Sequence, residues 1–261
     1  MSTDIRGKWA LVTGASSGLG VDFAGELAAR GANLILAARR QERLEAVRDT
    51  ITAAHNVSVE VVAIDLAAPD APQQLHDQLK AREIPVDILV NNAGLGIYGE
   101  FTEIEWERER AMLELDIVTL THMTKLFTRD MVARGFGMVL QVASIGAYQP
   151  SPLYASYSAA KSYVLNFGLA LNHELRRTGV SVTVVSPGVT RTEFLDVAGQ
   201  EPTLYQRMAM MTSDAVAKQA IRALVRRDPH IITGTLNALT AITTRFMPRS
   251  FAAAIAYRTM K

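Results

Sequence analysis

Apolar positions along the chain follow two rhythms. Short runs of β-branched and aliphatic residues lie at 9–13, 34–38, 59–64, 88–90, 138–142, 180–185 and 230–233. Most are continuous rather than alternating, as strands are when both faces of a parallel sheet are covered. Between them, apolar residues recur at helical spacing over 18–30, 41–54, 70–82, 103–133, 155–178 and 213–227. Gly31, Gly135 and Gly179 stand where helices commonly stop. The alternation predicts a doubly wound α/β domain, whose ligands bind at the carboxyl ends of the strands.

The rest of the composition narrows the class. A length of 261 residues suits one such domain, and 49% hydrophobic with 20% charged residues describes a folded globular chain. A net charge of +1 gives no basic footprint, so no nucleic-acid partner is expected. The absence of cysteine excludes disulfides, iron–sulfur clusters and thiolate zinc sites, and no metal is expected. The polar start MSTDIRGK and the lack of a long apolar run lead to the expectation of a cytoplasmic protein with no membrane span.

The first strand runs into Thr13-Gly14-Ala15-Ser16-Ser17-Gly18-Leu19-Gly20, and a helix follows. Gly14 suits a tight turn, Gly18 leaves room for a pyrophosphate, and Gly20 lets the helix approach the strand. The helix N-terminus adds free N–H groups and a positive dipole end. The same residues also read as G-x-S-x-G, a hydrolase nucleophile elbow at Ser16. That reading needs a histidine in a loop after a later strand. His55, His76, His122, His173 and His230 fall in or beside helical patterns or at a strand start.

Further motifs follow in order: Asn91-Asn92-Ala93-Gly94 after the fourth strand, Ser144 after the fifth, and Tyr157-Ser-Ala-Ala-Lys161 on the next helix. Together, from about residue 8 to 233, they resemble the short-chain dehydrogenase/reductase family. The resemblance implies a Rossmann-type, seven-stranded parallel sheet and reversible hydride transfer between a nicotinamide cofactor and a carbonyl or alcohol. By that resemblance Tyr157 is the proton donor. Lys161 holds the nicotinamide ribose and lowers the tyrosine pKa, and Ser144 orients the substrate oxygen. Asn92, Ala93 and Gly94 line the adenosine side. Asp65 and Leu66 meet the adenine, and Pro187, Gly188, Val189 and Thr192 belong to the loop that holds the carboxamide. The residues themselves make chemical sense of this. Tyr157 and Lys161 share a helix face, and an ammonium stabilises a phenolate. Tyr148, Tyr154 and Tyr163 lack a lysine four residues on. One position departs from the family pattern: Asp116 stands where an Asn usually completes the catalytic set through a helix kink and a water. Its charge would favour the ammonium and oppose the phenolate.

After the second strand, Ala38-Arg39-Arg40 replaces the acid that binds a ribose 2′-hydroxyl in NAD enzymes. Arg39, with Ser16 and Ser17, suits a 2′-phosphate, so NADP(H) is the expected cofactor. The bland alternative for the two arginines is a solvated helix start. The segment 189–211 is expected to cover the substrate, with Leu95, Tyr148, Phe194, Tyr205 and Met208 as candidate walls of an apolar pocket. The stretch 236–261 reads as two short helices broken at Pro248, which would cover the pocket, contact another subunit or lie on a membrane surface. The family resemblance implies a homodimer or homotetramer. The expected activity is NADPH-dependent reduction of a ketone or aldehyde with apolar substituents. Alternatives are an oxidative alcohol or hydroxysteroid-type dehydrogenase, a non-catalytic NADP-binding regulator, and, against the altered C-terminus, a 3-oxoacyl reductase.

Overall fold

A computed structural model describes residues 2–201, 203, 207 and 210–260. Seven parallel strands form the central sheet: β1 (Trp9–Thr13), β2 (Asn33–Ala38), β3 (Val59–Ala63), β4 (Ile88–Asn91), β5 (Gly137–Val142), β6 (Val180–Ser186) and β9 (His230–Ile232). Their spatial order is β3-β2-β1-β4-β5-β6-β9. Strand order therefore reverses between β1 and β4, and a ligand crevice is expected beyond their carboxyl ends. A small two-stranded bridge, β7 (Thr190–Arg191) with β8 (Met211–Thr212), was not legible as a run of apolar residues.

Successive strand residues feed opposite layers. Val12, Leu34, Leu36, Val90 and Leu140 pack with Phe23 and Leu27 of α1 (Leu19–Ala28), Leu44 of α2 (Gln41–Ala54), and Ile221 and Leu224 of α8 (Ser213–Arg226). Leu11, Ile35, Leu89 and Val139 face the other way, toward Leu75 and Leu79 of α3 (Ala71–Ala81) and Met123, Phe127 and Met131 of α5 (Leu120–Arg134). Val164 and Leu165 of α6 (Ala155–Leu175) close a third cluster with Val184. Burial on both faces is the reason these strands read as unbroken apolar runs.

The expected single helix over 103–133 is instead broken. A short 3-10 turn, Phe101–Glu103, precedes α4 (Trp106–Leu113), and a π segment, Glu114–Thr119, joins α4 to α5. Near the start of the substrate-loop region lies α7 (Phe194–Ala198); α9 (Thr235–Thr244) and α10 (Arg249–Met260) follow the last strand, with Pro248 between them.

Gly135 and Gly179 adopt left-handed backbone, with φ of 70° and 81°. A Cβ at Gly179 would sit 2.0 Å from the Gly135 carbonyl oxygen, whereas one at Gly135 would meet nothing within 4 Å. Gly135→Ala should therefore cost about 1–2 kcal/mol from φ alone. Gly179→Ala should cost more, at about 3 kcal/mol or above, because backbone must also move. Urea unfolding of the two variants checks the order; equal losses would contradict it.

Candidate active site

The loop after β1 and the loop after β4 are tied together before any ligand enters. Thr13 Oγ1 donates to the Val90 carbonyl and accepts from the backbone N–H groups of Asn92 and Ala93, all at 3.0 Å. Asn92 Nδ2 donates to the Thr13 carbonyl at 2.9 Å. Gly20 sits so close to this knot that a Cβ would lie 2.2 Å from the Gly14 oxygen. Thr13 and the Asn92 amide thus fix the shape of the phosphate loop. Asn92 reaches the site by holding backbone, a role its motif alone does not disclose.

The chemistry-bearing side chains meet at the carboxyl ends of β4 and β5. Lys161, on α6, is buried, and its Nζ lies 2.9 Å from Asp116 Oδ2 and 3.3 Å from the Val142 carbonyl oxygen. Asp116 is fully buried within the π segment, and its Oδ1 accepts from the Leu95 backbone N–H at 2.8 Å. The extra residue in that turn is what directs position 116 inward; π-bulges are common at functional sites for this reason. The carboxylate meets the ammonium directly. Burial alone would lower the Lys161 pKa, but the Asp116 charge, the neighbouring Tyr157 oxygen and the hydrogen bond to Asp116 together outweigh it, and the ammonium is held charged above its ordinary range.

Tyr157 lies one helical turn before Lys161, whose Nζ is 5.6 Å from its ring centre. Burial pushes the phenol pKa up; the Lys161 charge and the Ser144 hydroxyl pull it down, and the Asp116 charge pushes it up again. The net direction is upward. The lowering by Lys161 expected from the resemblance is present, but burial outweighs it. Ser144 caps the 3-10 turn Ile145–Tyr148, where its Oγ accepts the Gly146 N–H at 3.1 Å. The rival tyrosine hydroxyls are engaged elsewhere: Tyr148 with Ser186 and His230, Tyr154 with Gln200, and Tyr163 with Thr121.

One cavity of about 630 Å³ joins all these parts. Gly14, Ser16, Ser17, Gly18 and Leu19 line one end, with Arg39 and Arg40 at the mouth, and Asp65 and Leu66 beside them. The middle holds Asn92, Ala93, Gly94 and Leu95, then Ser144, Tyr157 and Lys161. Pro187, Gly188, Val189, Thr192 and Phe194 complete the lining, with Thr192 against Gly18 and the Phe194 ring 5.5 Å from that of Tyr157. Tyr148 also borders it, although its hydroxyl turns to Ser186 and His230. Tyr205 and Met208 lie outside the described residues. Among the described residues, no histidine lines the cavity, which leaves Ser16 without the base that a hydrolase needs.

Two groups of cavity residues escaped sequence reading. Arg40 reaches across the phosphate loop: its Nη2 lies 2.9 Å from Ser17 Oγ and 3.2 Å from Ser16 Oγ, while Nη1 lies 3.4 Å from Glu193. Its neighbour Arg39 carried the expectation, and nothing in the pair's order told them apart. The second group belongs to the tail. Thr240, Thr244 and Met247 line the cavity, as do Ala252, Ile255 and Met260. Tyr98 Oη pins the last turn by donating to the Met260 carbonyl at 3.0 Å. Asn237 approaches Gly188 so closely that a Cβ there would be 2.1 Å from its Nδ2.

Comparison with known proteins agrees with this geometry. A family model described as short chain dehydrogenase matches residues 8–202. The very-long-chain 3-oxoacyl-CoA reductase of Mus musculus is 31% identical over 92% of this chain and 77% of its own length. The 17-beta-hydroxysteroid dehydrogenase type 3 of Rattus norvegicus is 34% identical over 69% of this chain and 59% of its own. The chain thus spans a little over half the length of several curated relatives that it matches. A solved short-chain dehydrogenase from Sphingobium yanoikuyae, in complex with NADPH, superposes with a TM-score of 0.82 at 30% identity, over 92% of this chain and 95% of that one. From the ordered motifs, the seven-stranded sheet, the Tyr157–Lys161 helix and these matches, the chain belongs to the short-chain dehydrogenase/reductase family.

Proposed function

We propose that this protein is an NADP(H)-dependent oxidoreductase that reduces a ketone or aldehyde with apolar substituents. The observation that carries the reading is a continuous cavity running from a phosphate loop flanked by arginines to a tyrosine beside a buried ammonium.

The residues present fit a nicotinamide dinucleotide. Gly18 precedes α1 with no side chain capping the helix, which leaves backbone N–H groups for a pyrophosphate. Arg40, held over Ser16 and Ser17, and Arg39 supply guanidinium groups for a 2′-phosphate. Lys161 and the Pro187–Thr192 loop would hold the nicotinamide end. When bound, that cofactor supplies the hydride. The chain supplies the proton: the Tyr157 hydroxyl donates to the carbonyl oxygen as that oxygen becomes an alcohol. Lys161 stabilises the phenolate left behind, and Ser144 donates a hydrogen bond to the same oxygen as its negative charge develops. The oxidative reading on the same site is the second choice, favoured by the names of hydroxysteroid dehydrogenase relatives. The altered tail loses force as an argument against 3-oxoacyl substrates, since a relative of that name aligns over 92% of the chain. Leu95, Phe194, Met247 and Ile255 give the substrate end its apolar character.

Tyr157→Phe should keep NADPH affinity within a few-fold while turnover of carbonyl substrates falls by about 10²- to 10⁴-fold. Full activity in that variant, measured by loss of nicotinamide absorbance, would remove Tyr157 from the chemistry. Arg40→Asp should lower kcat/KM for NADPH by about tenfold or more, and leave NADH nearly unchanged. If Arg39→Asp does this instead, the 2′-phosphate belongs to Arg39. The sign of the Asp116 effect is also defined. Its carboxylate raises the Tyr157 pKa, so as long as Lys161 keeps its charge against the Val142 carbonyl, Asp116→Asn should lower it. The alkaline limb of the reductive pH–rate profile, where the proton donor is lost, should move to lower pH. An unchanged profile would show that the carboxylate does not govern the phenol.

A further inference from the structure

Helices α9 and α10 bury only a narrow stripe each: Asn237 and Ala241 on the first, Ala252 and Ala256 on the second. Their outer sides are apolar. Leu236, Leu239, Ile242 and Phe246 follow one another three or four residues apart along α9 and the turn after it, and Phe251 is exposed on α10. Exposure runs from 52% at Ile242 to 85% at Phe246, a concentration of free apolar surface that ordinarily marks a partner.

Charge says what that partner is. From Pro229 to the end the sequence has no Asp or Glu, yet it carries Arg245, Arg249, Arg258 and Lys261. Because the whole chain is only +1, the remainder is net negative, and positive charge is concentrated in this segment. The three arginines are exposed. Basic residues around an exposed apolar helix face match an anionic lipid surface. No helix among the described residues is long and apolar enough to cross a membrane, so such binding would be in the plane of the interface. Self-association has another apolar surface available, with Trp106 of α4 and Tyr163 of α6 exposed.

We propose that α9 and α10 dock this protein on an anionic lipid surface. Leu239, Ile242, Phe246 and Phe251 would enter the boundary between headgroups and acyl chains, with the arginines on lipid phosphates. The same two helices wall the cavity through Thr240, Thr244 and Met247, so docking would set its rim beside the membrane. An apolar substrate would then reach Tyr157 from the bilayer; that consequence alone rests on the proposed function.

Flotation of the full chain with phosphatidylcholine vesicles, with and without about 30% phosphatidylserine, tests this. The unaltered protein should float with the anionic vesicles. Leu239→Ser with Phe246→Ser should lower partitioning by about tenfold or more, and Arg245→Gln with Arg249→Gln should remove the preference for anionic lipid. Both double variants should keep the parent melting temperature and NADPH affinity. Tyr157→Phe should float like the parent, which separates this result from the fate of the proposed reaction. Failure of the unaltered protein to float with anionic vesicles would overturn the proposal. So would a Leu239/Phe246 double variant that floats equally well. A dimer that the same double variant splits, with no vesicle binding by either protein, would also overturn it, in favour of a second copy on this face.

Discussion

The contact on which the site depends is the buried pairing of Lys161 with Asp116. An ammonium cannot be left alone in a protein interior without losing its charge, and a lone buried carboxylate is no better placed. Here each neutralises the other, and the remaining valences reach backbone: the Val142 carbonyl from the lysine, and the Leu95 N–H from the aspartate. The pair thereby fastens α6, the π segment, the end of β5 and the loop after β4 at one point. A charged lysine beside Tyr157 exists because those four segments meet there. The same carboxylate also acts against the phenolate, so one interaction supports the architecture and tempers the acid.

The sheet was legible because continuous apolar runs mean strands buried on both faces, and these strands are so buried. The phosphate loop was legible because strand, glycines and helix occur in one unbroken stretch. What sequence hid were features set by approach between distant segments. The break in the long fourth helix was implied only by the resemblance, as a kink at Asp116; no Pro or Gly announces it. Arg39 and Arg40 are equivalent on paper; only the turn into α2 lays Arg40 across Ser16 and Ser17. Thr13 looked like the last residue of a strand, and its hydroxyl is the knot between two loops. The tail offered three destinations, and its contacts with Tyr98 and Gly188 bring it onto the cavity.

Seen from the cavity, the molecule is graded. One end offers glycine backbone, hydroxyls and guanidinium groups; the middle holds the buried pair and the phenol; the far end is apolar and built partly from the tail. A polar dinucleotide and an apolar carbonyl compound suit opposite ends of such a channel, and their reacting atoms would meet beside Tyr157.

The central claim is that a hydride passes from a nicotinamide to a carbonyl carbon in this cavity. The most direct measurement uses NADPH carrying deuterium on the reactive face of the nicotinamide ring. It would be incubated with the protein and a series of ketones and aldehydes of increasing apolar bulk, and the products read by mass spectrometry. The account predicts an alcohol bearing one deuterium on the former carbonyl carbon, formed best from the bulkier apolar substrates. NADPH that binds but leaves every carbonyl unlabelled and unreduced would contradict it, and would make the protein a cofactor-binding member of the family without this chemistry.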